Sequence, residues 1–116
     1  MQNTIIKGRD NPVTIELEIT GNYSDGSPPP FDRFMLTIGN ESYDTALTNK
    51  LSIELIGVNS TLDKYLINLV LIAGDTGLDD GYYRPDIIGY SITYPNGYII
   101  QDDKDTSLSP VRVVSD

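Results

Sequence analysis

The most constraining feature of this sequence is a two-residue alternation of apolar and polar side chains. It is clearest over residues 13–20, where Val13, Ile15, Leu17 and Ile19 alternate with threonine and glutamate. Successive side chains of an extended strand point to opposite faces, so the pattern predicts a strand with one buried face. The same period recurs in short segments bounded by glycine, proline and asparagine, which are typical turn residues. The chain is therefore expected to consist mainly of strands.

Shorter segments with this period predict six further strands, at residues 34–38, 41–46, 51–55, 90–94, 98–101 and 111–114. The segment 41–46 is polar and is expected at a sheet edge. Asn96-Gly97 favours the positive φ angles of a tight turn, which predicts a hairpin between the fourth and fifth of these strands. Residues 21–30 end in three prolines and predict a long extended connection, and residues 102–110 predict another.

One segment fits two structures. Residues 62–70 carry leucine, tyrosine and valine at helical spacing, with Gly74 as a stop signal. Residues 65–72 are nevertheless apolar on both faces except at Asn68, as in a central strand that is covered on both sides. We predict a strand here, with a helix as the alternative.

The number of strands and the length of the chain predict the fold class. We expect 116 residues to form one domain, residues 1–116, with enough buried surface to need no disulfide. Eight or nine short strands with frequent turns indicate an all-β fold, an immunoglobulin-like antiparallel β-sandwich. The first eight residues lack the basic start and apolar run of a secretory signal, so synthesis in the cytoplasm is expected. The longest apolar run, residues 69–73, is too short to cross a membrane.

Charge and composition argue against several functions. The net charge of −9, with eight scattered cationic residues, disfavours binding to nucleic acid. The chain contains neither histidine nor cysteine, which removes the Ser-His-Asp triad, Cys-His pairs and imidazole metal sites. We therefore expect a protein that is not an enzyme and that needs no cofactor.

Aspartates in predicted loops are the remaining candidates for chemistry. A carboxylate pair of the glycosidase kind could be drawn from Asp75, Asp79, Asp80, Asp86, Asp102, Asp103 and Asp105. Solvated turn residues are the stronger interpretation, because aspartate is favoured in turns. Asp75, Asp79 and Asp80 are also candidates for a calcium site, although their spacing departs from the helix-loop-helix pattern.

Tyrosines and two basic residues are the candidates for binding a partner. Five of the eight tyrosines are expected near the hairpin, where they either brace the sheet or form a contact surface for protein or sugar. The segment Lys7-Gly8-Arg9-Asp10 is either a turn, which we favour, or a basic contact site. The clustered tyrosines are Tyr82, Tyr83, Tyr90, Tyr94 and Tyr98, and the candidate partner-binding residues are Lys7, Arg9, Tyr82, Tyr83, Tyr94 and Tyr98.

A short strand, the turn at residues 7–10 and the alternating strand at 13–20 together resemble the start of immunoglobulin-like domains in tailed-phage virion proteins. The N-terminal domain of phage baseplate upper proteins is the most similar type. Residues 81–84, residues 87–90, the Asn96-Gly97 hairpin and the closing strand at 111–114 extend the resemblance over nearly the whole chain. It implies a structural part of a phage particle that binds through sandwich faces and edges.

Two functions follow from the resemblance and the residues. The first is a virion accessory protein that docks in many copies, or as a homo-oligomer, on capsid subunits as decoration or cement, or on neck or tail subunits. Because the sequence ends directly after the predicted sandwich, we expect this role rather than that of a baseplate upper protein. The alternative is a baseplate- or tail-associated module that binds carbohydrate or a cell surface through the tyrosine-rich hairpin.

Overall fold

The computed structural model of the protein describes residues 3–20, 31–59, 64–101 and 110–116. The predicted connection at 21–30 and residues 102–109 of the second predicted connection lie outside the described residues. Ten strands are present in the part that is described: β1 Thr4–Ile6, β2 Pro12–Thr20, β3 Arg33–Ile38, β4 Glu41–Asp44, β5 Leu51–Asn59, β6 Lys64–Ile72, β7 Gly81–Tyr83, β8 Asp86–Tyr90, β9 Tyr98–Gln101 and β10 Val111–Val114.

The strands form three sheets, with the orders β2-β6-β5, β4-β3-β8-β9 and β1-β10-β7. Immunoglobulin sandwiches place strands B, E and D in one sheet and C′, C, F and G in the other. Assigned in chain order, β2, β6 and β5 occupy the positions of B, E and D, and β4, β3, β8 and β9 occupy those of C′, C, F and G. The expected all-β sandwich is confirmed.

Two details of the predicted architecture are different. The described residues form ten strands rather than eight or nine, because the short strands β1 and β7 both pair with β10. The sandwich is not wholly antiparallel either, since β1 and β10 run parallel, with Ile5 opposite Val113. These three strands form a small sheet of their own beside the two larger ones.

The core lies between alternating residues of the two larger sheets. In β2, Val13, Ile15 and Leu17 are buried, as the alternation predicts. The facing sheet contributes the buried side chains of Phe34, Leu36, Ile38 and Ile87, and all seven belong to one hydrophobic cluster. Each buried aliphatic or aromatic side chain of this size stabilises the fold by about 1.5–3 kcal/mol, so the sandwich is held mainly by this layer.

Strand β6 settles the ambiguous segment in favour of a strand. It is the central strand of its sheet and pairs antiparallel with β2 along its full length, from Pro12 opposite Ile72 to Thr20 opposite Lys64. The prediction of two covered faces was wrong. Ile67, Leu69 and Leu71 are buried, whereas on the other face Leu66, Asn68 and Val70 are half-buried and Ile72 is exposed.

The hairpin prediction was correct for one strand and wrong for the other. Strand β9 begins at Tyr98 as predicted, but its partner β8 covers Asp86–Tyr90 rather than residues 90–94. Residues 91–97 form the connection instead, because β8 uses its alternation to bury Ile87 opposite Leu36 of β3. The predicted polar edge strand is confirmed as β4, which ends at Asp44 rather than at residue 46.

Candidate functional site

Three aromatic rings contact one another where β3 begins and β8 turns into β9. The ring centroids of Phe31 and Tyr94 are 5.6 Å apart, those of Phe31 and Tyr98 are 5.8 Å apart, and those of Tyr94 and Tyr98 are 5.1 Å apart. Phe31 also makes an edge-to-face contact with Phe34 of β3 at 6.1 Å. We call Phe31, Tyr94 and Tyr98 the aromatic surface.

Exposure increases from the core toward the tip of the aromatic surface. Phe31 is 7% exposed, whereas Tyr94 is 38% and Tyr98 is 50% exposed. Ile92, in the same connection between β8 and β9, is 97% exposed. The two tyrosines are therefore accessible rings that rest on a buried ring, and this contact limits the conformations they can adopt.

Two glycines make this arrangement possible. A β-carbon at Gly89 would lie 2.6 Å from ring carbons of Phe31, so no larger residue fits while Phe31 keeps its place. Gly97 has a φ of 92°, and its amide donates to the carbonyl of Tyr94 at 3.1 Å. Since only glycine adopts this φ readily, Gly97 closes the turn that brings Tyr94 next to Tyr98.

Arg33 and Tyr90 pair across β3 and β8 next to the aromatic surface. The Arg33 guanidinium lies 4.8 Å from the centroid of the Tyr90 ring. It also donates from Nε to both carboxylate oxygens of Asp44, at 2.9 and 3.0 Å, while the amide of Ala46 donates to Asp44 at 2.9 Å. These hydrogen bonds lower the pKa of the Asp44 carboxyl and raise that of Arg33. The arrangement holds the start of β3 in place beside Phe31.

The structure divides the predicted tyrosine cluster. Tyr94 and Tyr98 belong to the aromatic surface, but Tyr82 and Tyr83 lie in β7, in the sheet with β1 and β10. Tyr82 is exposed, and the guanidinium of Arg112 is 5.8 Å from its ring centroid. Tyr83 is half-buried and donates its hydroxyl to the carbonyl of Asp79 at 2.6 Å. Phe31 could not be recognised from the sequence, because the residues around it show no alternation of apolar and polar side chains and three prolines precede it.

The basic residues at the start of the chain are paired within the protein. Residues 7–10 form a turn in which Gly8 has a φ of 83°. The Nζ of Lys7 is 3.1 Å from Oδ1 of Asp80, and the Nε of Arg9 is 2.8 Å from Oδ2 of Asp116. The preferred interpretation, a turn, is confirmed, and both cations already have a partner.

The candidate metal ligands are dispersed among different contacts. Asp75 pairs with Lys50, and Asp80 accepts hydrogen bonds from Ser115 as well as from Lys7. These contacts lower the pKa of both carboxyls, whereas a glycosidase acid requires a raised one. In the described part of the chain, no three acidic, histidine or cysteine residues are close enough to hold a metal ion together. Asp102, Asp103 and Asp105 lie outside it.

An open groove of about 620 Å³ lies between the connection after β4 and the start of β5. Its walls include Leu47 and Ile53, which are both exposed, and Thr45 and Thr48. Asp32 is the one titratable residue among the described residues that line it. A single carboxylate does not make the acid–base pair that glycoside hydrolysis requires.

No protein-family model matches the chain, and no curated protein or solved structure is significantly similar to it. Among the described residues there is no helix long and apolar enough to cross a bilayer.

Proposed function

We propose that this protein is a non-enzymatic accessory component of a tailed-phage particle that docks on other virion subunits through its aromatic surface. The observation that carries the proposal is the pair of exposed rings, Tyr94 and Tyr98, supported by the buried ring of Phe31. The resemblance of the sequence to immunoglobulin-like virion domains supports the setting. The sandwich strand order is compatible with it.

Exposed tyrosines supported in this way suit protein contacts. Tyrosine is enriched among the residues that contribute most to binding, because its ring buries a large area and it has few rotatable bonds. Packing on Phe31 removes part of the remaining freedom before any partner arrives. Less entropy is then lost on binding, which raises the affinity.

The acidity of the chain bears on how copies are arranged. A net charge of −9 makes neighbouring copies repel one another, so docking in many copies requires basic groups on the capsid, neck or tail subunit. Repeated weak contacts would provide the avidity. Binding to the particle should then weaken as salt is raised from about 0.05 to 0.5 M, since screening shortens the range of these attractions.

The test is mass spectrometry of purified phage particles made from the genome that encodes this chain. We expect peptides of the chain in the particles at a constant ratio to a major structural subunit. Particles carrying Tyr94→Ala with Tyr98→Ala should lose most of the protein while its melting temperature stays close to that of the wild type. Full retention of the double variant, or absence of the wild type from the particles, would contradict the proposal.

The same rings favour one second candidate, a carbohydrate- or cell-surface-binding module. Tyrosine rings with one accessible face are suited to stacking on sugars. A glycan array separates the two functions. Glycan binding that is lost in the Tyr94→Ala, Tyr98→Ala variant supports the sugar module, whereas loss of particle association without any glycan binding supports the structural role.

A further inference from the structure

A second candidate surface lies on the outward side of the β2-β6-β5 sheet. The strand register places Glu16 of β2 and Glu54 of β5 opposite Asn68 of β6, one on each side. The half-buried and exposed side chains of β6 form a row down the middle of this side. We call this side the β6 face, and its described outward residues are Pro12, Thr14, Glu16, Glu18, Ser52, Glu54, Leu66, Asn68, Val70 and Ile72.

The β6 face combines an apolar row with negative charge on both flanks. Leu66 and Val70 are half-buried, and Ile72 is 40% exposed. Glu16 and Glu54 are exposed on either side of the row. Residues 12–18, 51–54 and 66–72 contain no lysine or arginine, and Lys64, the first residue of β6, lies beyond this segment, opposite Thr20 and Asn59. Cations on both edges of a partner that covers the row from Leu66 to Ile72 would pair with these two carboxylates.

Asn68 adds an unsatisfied group in the middle of the apolar row. Its Oδ1 is buried and has no hydrogen-bond partner. A buried acceptor left unpaired costs about 1–3 kcal/mol, and a valine in this position would avoid that cost. Rotation about the last side-chain bond can turn the oxygen outward, because this torsion is broad in asparagine. A polar donor on a partner could then satisfy it.

We propose that the β6 face binds an amphipathic α-helix of a protein partner whose apolar stripe is bordered by lysine or arginine on both sides. Adjacent strands are about 4.8 Å apart, so Glu16 and Glu54, two strands apart, are separated by about 10 Å. This separation matches the diameter of an α-helix, which is about 10 Å. The row from Leu66 to Ile72 is about 20 Å long, which matches a helix of about 13 residues.

Charge complementarity selects this occupant over a second copy of the chain. Two β6 faces in contact would bring the glutamates of both copies together, whereas the basic edges of a helix pair with them. A donor in the helix stripe opposite Asn68 would give the contact a fixed register, because other registers leave the oxygen unpaired. The inference does not depend on the aromatic surface, which belongs to the other large sheet.

The test uses a synthetic 14-residue helical peptide with a leucine stripe bordered by lysines, and the same peptide with glutamates in place of the lysines. Titration into the isotope-labelled full chain should shift amide resonances in residues 13–18, 51–54 and 66–72 with the lysine peptide. We expect no shifts there with the glutamate peptide. Shifts confined to other parts of the chain, or no binding at all, would overturn the proposal.

Charge-matched variants separate a specific site from general attraction to an acidic protein. Glu16→Gln with Glu54→Gln should weaken binding of the lysine peptide at least tenfold. Asp32→Asn with Asp79→Asn removes the same two charges from exposed positions elsewhere and should change affinity by less than twofold. Equal losses in both pairs overturn the site. Tyr94→Ala with Tyr98→Ala should leave the affinity for the lysine peptide unchanged. The test of the β6 face can therefore fail or succeed independently of the proposed virion role.

Two further measurements complete the test. Asn68→Val should keep or raise the melting temperature of the chain. It should also weaken the binding of a peptide that carries glutamine at the centre of its stripe. If Asn68 had only a structural role, its replacement would not weaken peptide binding while the melting temperature is kept. Analytical ultracentrifugation of the chain without peptide should show no concentration-dependent dimer. A dimer abolished by Ile72→Lys would make a second copy the occupant and overturn the proposal.

Discussion

At the scale of single residues, Asp44 shows how one charged side chain holds a strand end. It is buried at the end of β4, where it accepts hydrogen bonds from Arg33 and from the backbone amide of Ala46. The Arg33 hydrogen bonds keep the pKa of the carboxyl below its ordinary value. The ionised form is therefore stabilised in the folded protein more than in the unfolded chain.

Asp44→Asn should lower the free energy of unfolding at pH 7 by at least about 1 kcal/mol, because the charge-assisted hydrogen bonds are lost. Since the folded pKa is lowered, this contribution is fully present above the ordinary carboxyl pKa of about 3.9 and is lost as the pH falls through the folded value. Denaturant unfolding from pH 7 to pH 2.5 should show the gap between the two proteins closing. Asp79→Asn, at an exposed carboxyl, is the control, and a gap that persists at pH 2.5 would disprove the mechanism.

Gly89 is the residue on which the aromatic surface depends most. Its missing β-carbon leaves the space that Phe31 occupies. We expect Gly89→Ala to destabilise the protein by about 1–3 kcal/mol through overpacking, and to change the near-ultraviolet circular dichroism of the aromatic rings.

Gly77→Ala provides the matched control for Gly89→Ala. An added β-carbon there would have Glu41 Oε1 as its nearest neighbour, at 3.7 Å, so the change should stay within about 0.5 kcal/mol. Equal effects of the two substitutions would show that loss of glycine flexibility, not the contact with Phe31, is responsible.

At the scale of elements, the connection between β6 and β7 is attached to β4 by one carboxylate. Glu41 accepts hydrogen bonds from the hydroxyl of Thr76 at 2.7 Å and from the amide of Gly77 at 2.6 Å. The hydroxyl of Tyr43 donates to it at 3.2 Å, and burial, with the nearby Glu41 charge, raises the pKa of Tyr43 to about 12. A connection of small residues thus receives a defined path from a strand that is distant in sequence.

Glu41→Ala should destabilise the protein by about 2 kcal/mol, since it leaves the buried Thr76 hydroxyl and the Gly77 amide without their charged acceptor. Hydrogen exchange should be faster at the Gly77 amide. Amides in β2 should exchange faster only by the amount that the loss of global stability explains. Glu54→Ala serves as the control at an exposed site. Unchanged exchange at Gly77 in Glu41→Ala would refute the attachment.

At the scale of the whole molecule, the net charge of −9 opposes folding but favours association with a basic partner. Excess negative charge destabilises the compact state by self-repulsion, and salt screens it. The isolated chain should therefore melt at a higher temperature in 0.3 M than in 0.01 M sodium chloride, by roughly a few degrees, whereas its association with a basic partner should weaken. A melting temperature that falls over this range would contradict the self-repulsion argument.

The sequence determined the fold class through side-chain period, because burial of one face requires alternation in every strand that borders the core. It also limited the chemistry, since residues that are absent from the chain cannot act. The local sequence could not decide whether residues 62–70 form a helix or a strand, or which residues pair with β9. A segment such as residues 86–94 can form a strand at either end, and pairing with β3 decided which end did so.

Only the tertiary structure joined residues that no sequence pattern connects. Phe31 meets Tyr94 and Tyr98 because β3 and β8 are neighbours, and Glu16 and Glu54 flank Asn68 because β6 lies between β2 and β5. The alternation within a strand shows which side chains share a face, but it does not show which strands lie side by side. Strand order and register, which depend on long-range packing, decided the composition of both surfaces.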